Sequence, residues 1–365
     1  MSTVVAGLAA LATLSVACPA AAAVGSAAGA TPSFNGSVYA IAYRGDTVYV
    51  GGSFTRALND GRSVAREHLA AFDATSGKLL DWAPSADDTV RALAVAGDSV
   101  YAGGDFNEVD GDRRDALAGI DADSGSVESF EHGVDGGVRT LAVGDGRLYA
   151  AGSISRVDGS ARSRAAAFSL ETGVLDASWA PRLDNTVNSL AYYDGQVYLG
   201  GSFRHRLSRV DAATGSLDDD FRPAPPAMVH SVAVDRDGVF AAMGGPGGRA
   251  AAYDLDGDAR WTRVFDGDAQ AIAVLDGTAY VGGHFDHACA AGDEAGNGEC
   301  DGESVSRVKL AAVEPEGSLS DWAPQANGIA GVRAIAVDPA RGTVAAGGDF
   351  TAIGGQTQRR FAAFG

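Results

Sequence analysis

Seven residues of the 365-residue chain recur at one place in a repeating pattern. Tyr39, Arg91, Arg139, Asn188, His230, Gln270 and Arg333 each directly follow the first apolar residue of an alternating apolar run. All are polar or able to hydrogen-bond, and the three guanidiniums can bind a carboxylate or phosphate through paired N–H donors. Set around one opening, they would form a positive mouth for an anionic ligand, with Tyr39 or His230 placed to handle protons if that ligand were a substrate. Acidic turns precede these runs and contain Asp87, Asp88, Asp135 and Asp184. The favoured expectation is that the arginines pair with these turns as solvated salt bridges of small energetic weight.

Other groupings carry less chemistry. His284, Asp286, His287 and Cys289 lie close enough in sequence to suggest zinc. However, His284 occupies the column held by Ser53 and Asp105, and Cys289 has a better use in a disulfide. Asp293, Asn297, Glu299 and Asp301 match part of a calcium loop but miss the third and twelfth positions of an EF-hand. His-Glu-x-x-His, Gly-x-Ser-x-Gly and phosphate-cradling Gly-Lys runs do not occur. No metal and no cofactor is therefore expected.

The elements that must position the seven residues form an internal repeat. Each segment has an apolar alternating run, an Asp/Gly turn, a Val-Tyr-x-Gly-Gly run, a polar loop containing Arg, a Leu-Ala-Ala-Phe-Asp run, a Thr/Ser-Gly turn and an aromatic residue. In the first segment these are Val38 to Val50, Gly51-Gly52-Ser53-Phe54, Leu69 to Asp73, Ser76-Gly77 and Trp82-Ala83-Pro84. The aromatic column runs Phe34, Trp82, Phe130, Trp179, Phe221, Trp261 and Trp322, and reads as packing between repeats. Four short strands per repeat of this length describe the blades of an all-β, seven-bladed β-propeller. The blades are about 37–88, 89–136, 137–185, 186–227, 228–268, 269–330, and 331–365 joined by 31–36. The last repeat stops after its third strand. Residues 31–36 are expected to supply the fourth, so that an N-terminal strand closes the last blade of a single domain over 31–365 and removes an open edge.

The pattern Val-Tyr-x-Gly-Gly-x-Phe, with Leu-Ala-Ala-Phe-Asp and Thr-Gly-x-Leu-x-x-Trp-x-Pro, resembles the delta-60 repeat propellers of secreted bacterial proteins. The resemblance covers residues 31–365 and implies the fold, without an activity to carry over. Ala71 to Lys78 with Trp82 also looks like the repeat of quinone-cofactor dehydrogenases, but here the same residues serve as blade packing and a turn.

Residues 1–30 read as a signal peptide and flexible leader, since Val4 to Val24 carry no charge and small-residue cleavage sites follow. A membrane anchor competes with that reading but is opposed by Pro19 and by the weak apolarity of Ala. Lipidation at Cys18 is the minor reading, because Ser15 stands where a lipobox has Leu. In an oxidising compartment Cys289 and Cys300 are expected to pair, closing a short loop.

Lys and Arg sum to 28 against 47 Asp and Glu, a net charge of −19, which disfavours nucleic acid and anionic membrane as partners. The 50 glycines without a Gly-X-Y period point to tight turns, and 46% hydrophobic residues suffice for a core. The expectation is a secreted or cell-surface protein, monomeric, not inserted in a membrane once the leader is removed. It would act as a non-catalytic recognition or scaffold module for an extracellular ligand, either an anionic saccharide or a protein. The alternative is an extracellular carbohydrate-active enzyme, a lyase or glycoside hydrolase, in which Arg91, Arg139 and Arg333 hold an acidic sugar.

Overall fold

The structure, a computed structural model, describes residues 24–59, 61–245, 247–290, 300 and 302–365. The expected signal peptide and Cys18 lie outside the described residues, as do Asp293, Asn297, Glu299 and Asp301 of the calcium-like stretch. Among the described residues there are strands and turns and no helix.

The repeat appears as antiparallel units, each an inner, a middle and a third strand. The first unit is Val38–Arg44, Thr47–Gly52 and Leu69–Asp73. The same meander recurs with inner strands Val90–Ala96, Val138–Gly144, Val187–Tyr193, Val229–Asp235, Ala269–Leu275 and Val332–Asp338. A further segment touches the third strand through single bridges such as Phe72↔Leu79 and Ile120↔Val127. In the fifth unit it is a full strand, Ala259–Phe265. The inner strands stand side by side in chain order, and Val332–Asp338 packs against Val38–Arg44.

The recurring Gly-Gly has a steric cause. A Cβ on Gly51 would lie 2.5 Å from Val90 Cγ1 of the next unit, and one on Gly347 would lie 2.8 Å from Val38 Cγ1. Neighbouring sheets therefore approach too closely for a side chain, and the last unit meets the first by the same contact. The second glycine has a different neighbour: a Cβ on Gly52 would collide with the Ser37 carbonyl, just ahead of the inner strand.

Aromatic residues tie one unit to the next, as expected. Tyr49 packs edge-on against Trp82 at 5.0 Å and donates its hydroxyl to Ala122 O at 2.8 Å, while Trp82 Nε1 donates to Asp121 O at 2.9 Å. Tyr149 and Trp179 repeat this with Ala212 and Asp211. Each such residue buries its ring and still satisfies its polar atom.

Two expectations about the N-terminal side are corrected. Phe34 pairs with Ala57 in the way Ala86 bridges Val109 and Phe265 pairs with Ala288, so it belongs to that column and not to the Trp82 column. Residues 31–36 do meet the last unit, with Phe34 N donating to Arg359 O at 3.2 Å and Gln358 Nε2 to Thr31 Oγ1 at 2.8 Å, but earlier residues extend the contact along its outer edge. Gly29 N donates to Ala363 O at 2.8 Å, and Trp322 Nε1 donates to Gly25 O at 3.0 Å, where Asp121 O serves Trp82. Val24 and Ala28 pack on the core of the same unit, so residues 24–30 are built into the fold and do not form a free leader.

Cys289 and Cys300 are joined by a disulfide with Cα atoms 5.3 Å apart. His287–Cys289 pairs with Ser304–Ser306 and, through Ala288, with Phe265, which fastens the sixth unit's insertion to the fifth.

Candidate functional site

Every inner strand has a register shift at its second residue. Val38 pairs with Gly52 and Ala40 with Gly51, leaving Tyr39 unpaired between them. The same shift leaves Arg91, Arg139, Asn188, His230, Gln270 and Arg333 unpaired. The seven residues singled out by the repeat are thus the bulged residues of the seven inner strands. A bulge frees a residue from the ladder and re-aims its side chain. All seven line one cavity of about 540 Å³.

The three guanidiniums are not equivalent. Arg91 Nε and Nη2 lie 2.6 and 2.5 Å from Asp105 Oδ2, and Arg91 also lies over the Tyr39 ring at 5.7 Å. Asp105 holds the charge of Arg91 and raises its pKa. Arg139 Nη1 donates to the neutral Asn188 Oδ1 at 3.0 Å, and Asn188 in turn donates to Val229 O. Arg333 has no side-chain hydrogen bond or ion pair among the described residues. The expected pairing with Asp87, Asp88, Asp135 and Asp184 does not occur. Asp87 accepts the Asn107 and Glu108 N–H groups, Asp184 that of Arg204 and Asp88 that of Thr89, so three of these four carboxylates serve backbone, two of them in the loop that follows the middle strand.

His230 and Gln270 are half-buried, and the His230 Nε2 and Gln270 Oε1 atoms are buried without a hydrogen-bond partner. Burial pushes the His230 pKa below its ordinary value; Asp268 opposes this and Arg333 adds to it, so the ring is neutral near neutral pH. Asp105 is the one carboxylate among the cavity-lining residues described, and it is held by Arg91.

The arginines of the polar loops fall into two columns. Arg66, Arg114 and Arg307 are buried and donate to Leu80 O, Glu128 O and Ser320 O at 2.7, 2.7 and 2.8 Å. Arg162, missed by the sequence reading, joins them through Asp176 O. Arg206 instead occupies the residue before the third strand at φ of 61°, as His68 does at 68°, and Arg164 holds the matching place within Ser160–Ser169 at 77°. Arg249 aligns with them by register. These side chains stitch backbone together.

Three of the zinc-like quartet are likewise committed elsewhere. Asp286 accepts from Lys309 Nζ at 2.7 Å, His287 Nδ1 lies 3.0 Å from Asp266 Oδ2, and Cys289 is in the disulfide. Asp73 Oδ1 accepts Ser76 N at 2.7 Å and Ser76 Oγ at 2.6 Å, which is the turn role expected for the stretch from Ala71 to Lys78.

Solved structures with this arrangement of strands exist. The WD40 β-propeller domain of Doa1 superposes with a TM-score of 0.59 at 11% identity, covering 92% of this chain and 95% of that one. The fold is a β-propeller. The computationally designed Ika8 protein superposes with a TM-score of 0.54 at 13% identity, covering 91% of this chain and 98% of that chain. No family model and no curated protein sequence matches the chain. At these identities the likeness carries the propeller fold alone, and the propeller's function has to be argued from its own residues.

Proposed function

We propose that this propeller is a seven-bladed, extracellular recognition module, without catalytic activity, that takes an anionic ligand at the mouth formed by the seven bulged residues. Its relation to the secreted delta-60 repeat propellers, its export and its monomeric state belong to the same proposal. The seven inner strands in ring order and the contact of Gly347 with Val38 support the blade count, with residues 24–30 completing the last blade.

One observation carries the functional reading. The bulges bring two cations without a carboxylate partner, Arg139 and Arg333, to one cavity in a chain of net charge −19. Both guanidiniums are exposed, and N–H donors on each are free to bind a carboxylate or phosphate in pairs. The enzyme reading needs a group free to move protons, and Tyr39, beneath Arg91 in the cavity, is the candidate it would have to use. Here Asp105 is tied to Arg91, and His230 Nε2 is turned into the protein.

The test is to incubate the protein at low salt with uronate oligomers and sialic acid, measuring binding and product release in the same samples. Binding without product, weakening as salt rises, is expected. Product formation would favour the lyase or hydrolase.

A further inference from the structure

Among the described residues, five of the seven units carry a two-stranded hairpin between the middle and third strands. In the first unit it is Arg56–Asn59 with Arg62–Ala65, and in the second Glu108–Val109 with Asp112–Arg113. The third unit extends its own two strands to make it, the sixth uses His287–Cys289 with Ser304–Ser306, and the last uses Ala352–Ile353 with Gln356–Thr357. Each hairpin also pairs with the segment that precedes its unit. Phe34 pairs with Ala57, Val134 with Val157 and Phe265 with Ala288, and the second and last units make the same contact as a single bridge.

The fourth unit has no such hairpin. Its middle strand ends at Gly201 and its third begins at Leu207, with the chain turning at Arg206. Leu183 stands four residues after Trp179, as Val134 does after Phe130, yet among the described residues it belongs to no strand pair or bridge. Elsewhere the hairpin also reaches the outer segment of its own unit, as where Asn59 Nδ2 donates to Gly77 O at 3.0 Å. In the fourth unit that segment lacks this cover. Leu217 is 39% exposed, whereas its counterparts Leu79, Val127, Leu175 and Leu319 are half-buried.

A cavity of about 420 Å³ opens beside Leu217, and Arg204, Arg206 and Arg222, all exposed, line it. Arg204 has no side-chain hydrogen bond or ion pair among the described residues. Arg206 and Arg222 each make one hydrogen bond, to Pro225 O and Asp219 O, and keep their other N–H donors. Of the two carboxylates beside them, Asp218 is held by Arg209 at 2.5 and 2.9 Å. None of the residues around this cavity lines the mouth.

We propose that the gap left by the missing hairpin is a docking slot for an extended acidic segment of a partner protein. Its backbone takes the place of the hairpin strand beside Leu183, its carboxylates meet Arg204, Arg206 and Arg222, and an apolar side chain covers Leu217. In strand addition of this kind backbone pairing supplies affinity and side-chain contacts select the sequence. This chain's own residues 1–23 contain no Asp or Glu, so they cannot supply the carboxylates.

The experiment is calorimetric titration of the whole chain at low salt with peptides of about eight residues, alternating Glu and Val, Lys and Val, or Glu and Pro. The Glu-Val peptide should bind and the Lys-Val peptide should not. The Glu-Pro peptide has the same charge but lacks half the N–H groups a strand needs, and should bind about tenfold or more weakly. Arg204→Ala and Arg222→Ala should each weaken the Glu-Val peptide about tenfold, while Arg333→Ala at the mouth leaves it within about twofold. Both slot arginines are exposed, and the comparison among peptides uses the unaltered protein, so the test survives a variant that fails to fold. Equal binding of the Glu-Val and Glu-Pro peptides would overturn strand addition. Loss in Arg333→Ala but not in Arg204→Ala would place the peptide at the mouth and overturn the slot. Self-association of the chain that Arg204→Ala abolishes would assign the slot to a second copy instead. No binding of the Glu-Val peptide would overturn the slot and leave the mouth reading, which is tested with saccharides, standing.

Discussion

Arg91 and Asp105 neutralise each other across the cavity wall, with Arg91 Nε 2.6 Å from Asp105 Oδ2. Arg333 holds the same bulge position in the last unit, and Asp349 the position of Asp105, yet the two are not paired. Asp349 Oδ2 accepts Ala330 N at 3.1 Å instead. One repeat thus closes its ion pair and another leaves its cation open. Asp105→Asn should release Arg91 and strengthen binding of an acidic ligand about threefold at low salt, as measured by calorimetry. A weakened affinity would mean that Asp105 itself contacts the ligand.

The last unit approaches the first where Gly347 lies against Val38. Gly347→Ala, whose Cβ would sit 2.8 Å from Val38 Cγ1, should destabilise the protein. The expected cost is about 1–3 kcal/mol by urea denaturation. Gly302→Ala, with nothing within 4 Å of the new Cβ, should be neutral.

The repeat, the aromatic packing and the seven-residue column are all legible in the sequence because each recurs in register. The reason that column faces one cavity is not. The register shift that frees Tyr39 lies between the Val38–Gly52 and Ala40–Gly51 pairs and is visible only once the two strands are paired. The arginine partners were misread for a related reason. Asp87 is near Arg91 in sequence but is used by the backbone of residues 107 and 108, while Asp105 arrives from the next strand. Phe34 was placed by its aromatic type, whereas its pairing with Ala57 assigns it by register.

Residues 24–30 pack on the last unit. Removing them takes away the partner of Trp322 Nε1 and the Gly29 to Ala363 hydrogen bond. The shortened protein should melt earlier and associate through the exposed edge, as seen by calorimetry and light scattering. An unchanged, monodisperse product would contradict this.

The disulfide fastens one insertion. Replacing Cys289 and Cys300 by Ala should cost roughly 3 kcal/mol by the loop-entropy estimate, with faster hydrogen exchange confined to the strands beside it, Ala259–Phe265, His287–Cys289 and Ser304–Ser306. Exchange that speeds up throughout the chain would show a wider role.

His230 gives stability a pH dependence of defined sign. Its folded pKa lies below 6.5 because of burial, so as pH falls past that value the unfolded chain takes up a proton that the folded one does not. Stability is full above 6.5 and is lost as pH drops towards the folded pKa. Between about pH 8 and about pH 5 the wild-type urea midpoint should fall further than that of His230→Gln.

The most direct measurement is the affinity of one acidic ligand, a uronate oligomer at low salt, for the single variants Arg91→Ala, Arg139→Ala and Arg333→Ala. Arg333 has no partner, Arg139 has a neutral one and Arg91 is already paired. Binding should therefore weaken about tenfold or more for Arg333→Ala, somewhat less for Arg139→Ala, and within about twofold for Arg91→Ala. Equal losses in all three, or no loss in any, would contradict recognition of an anion by the open cations of the bulge ring.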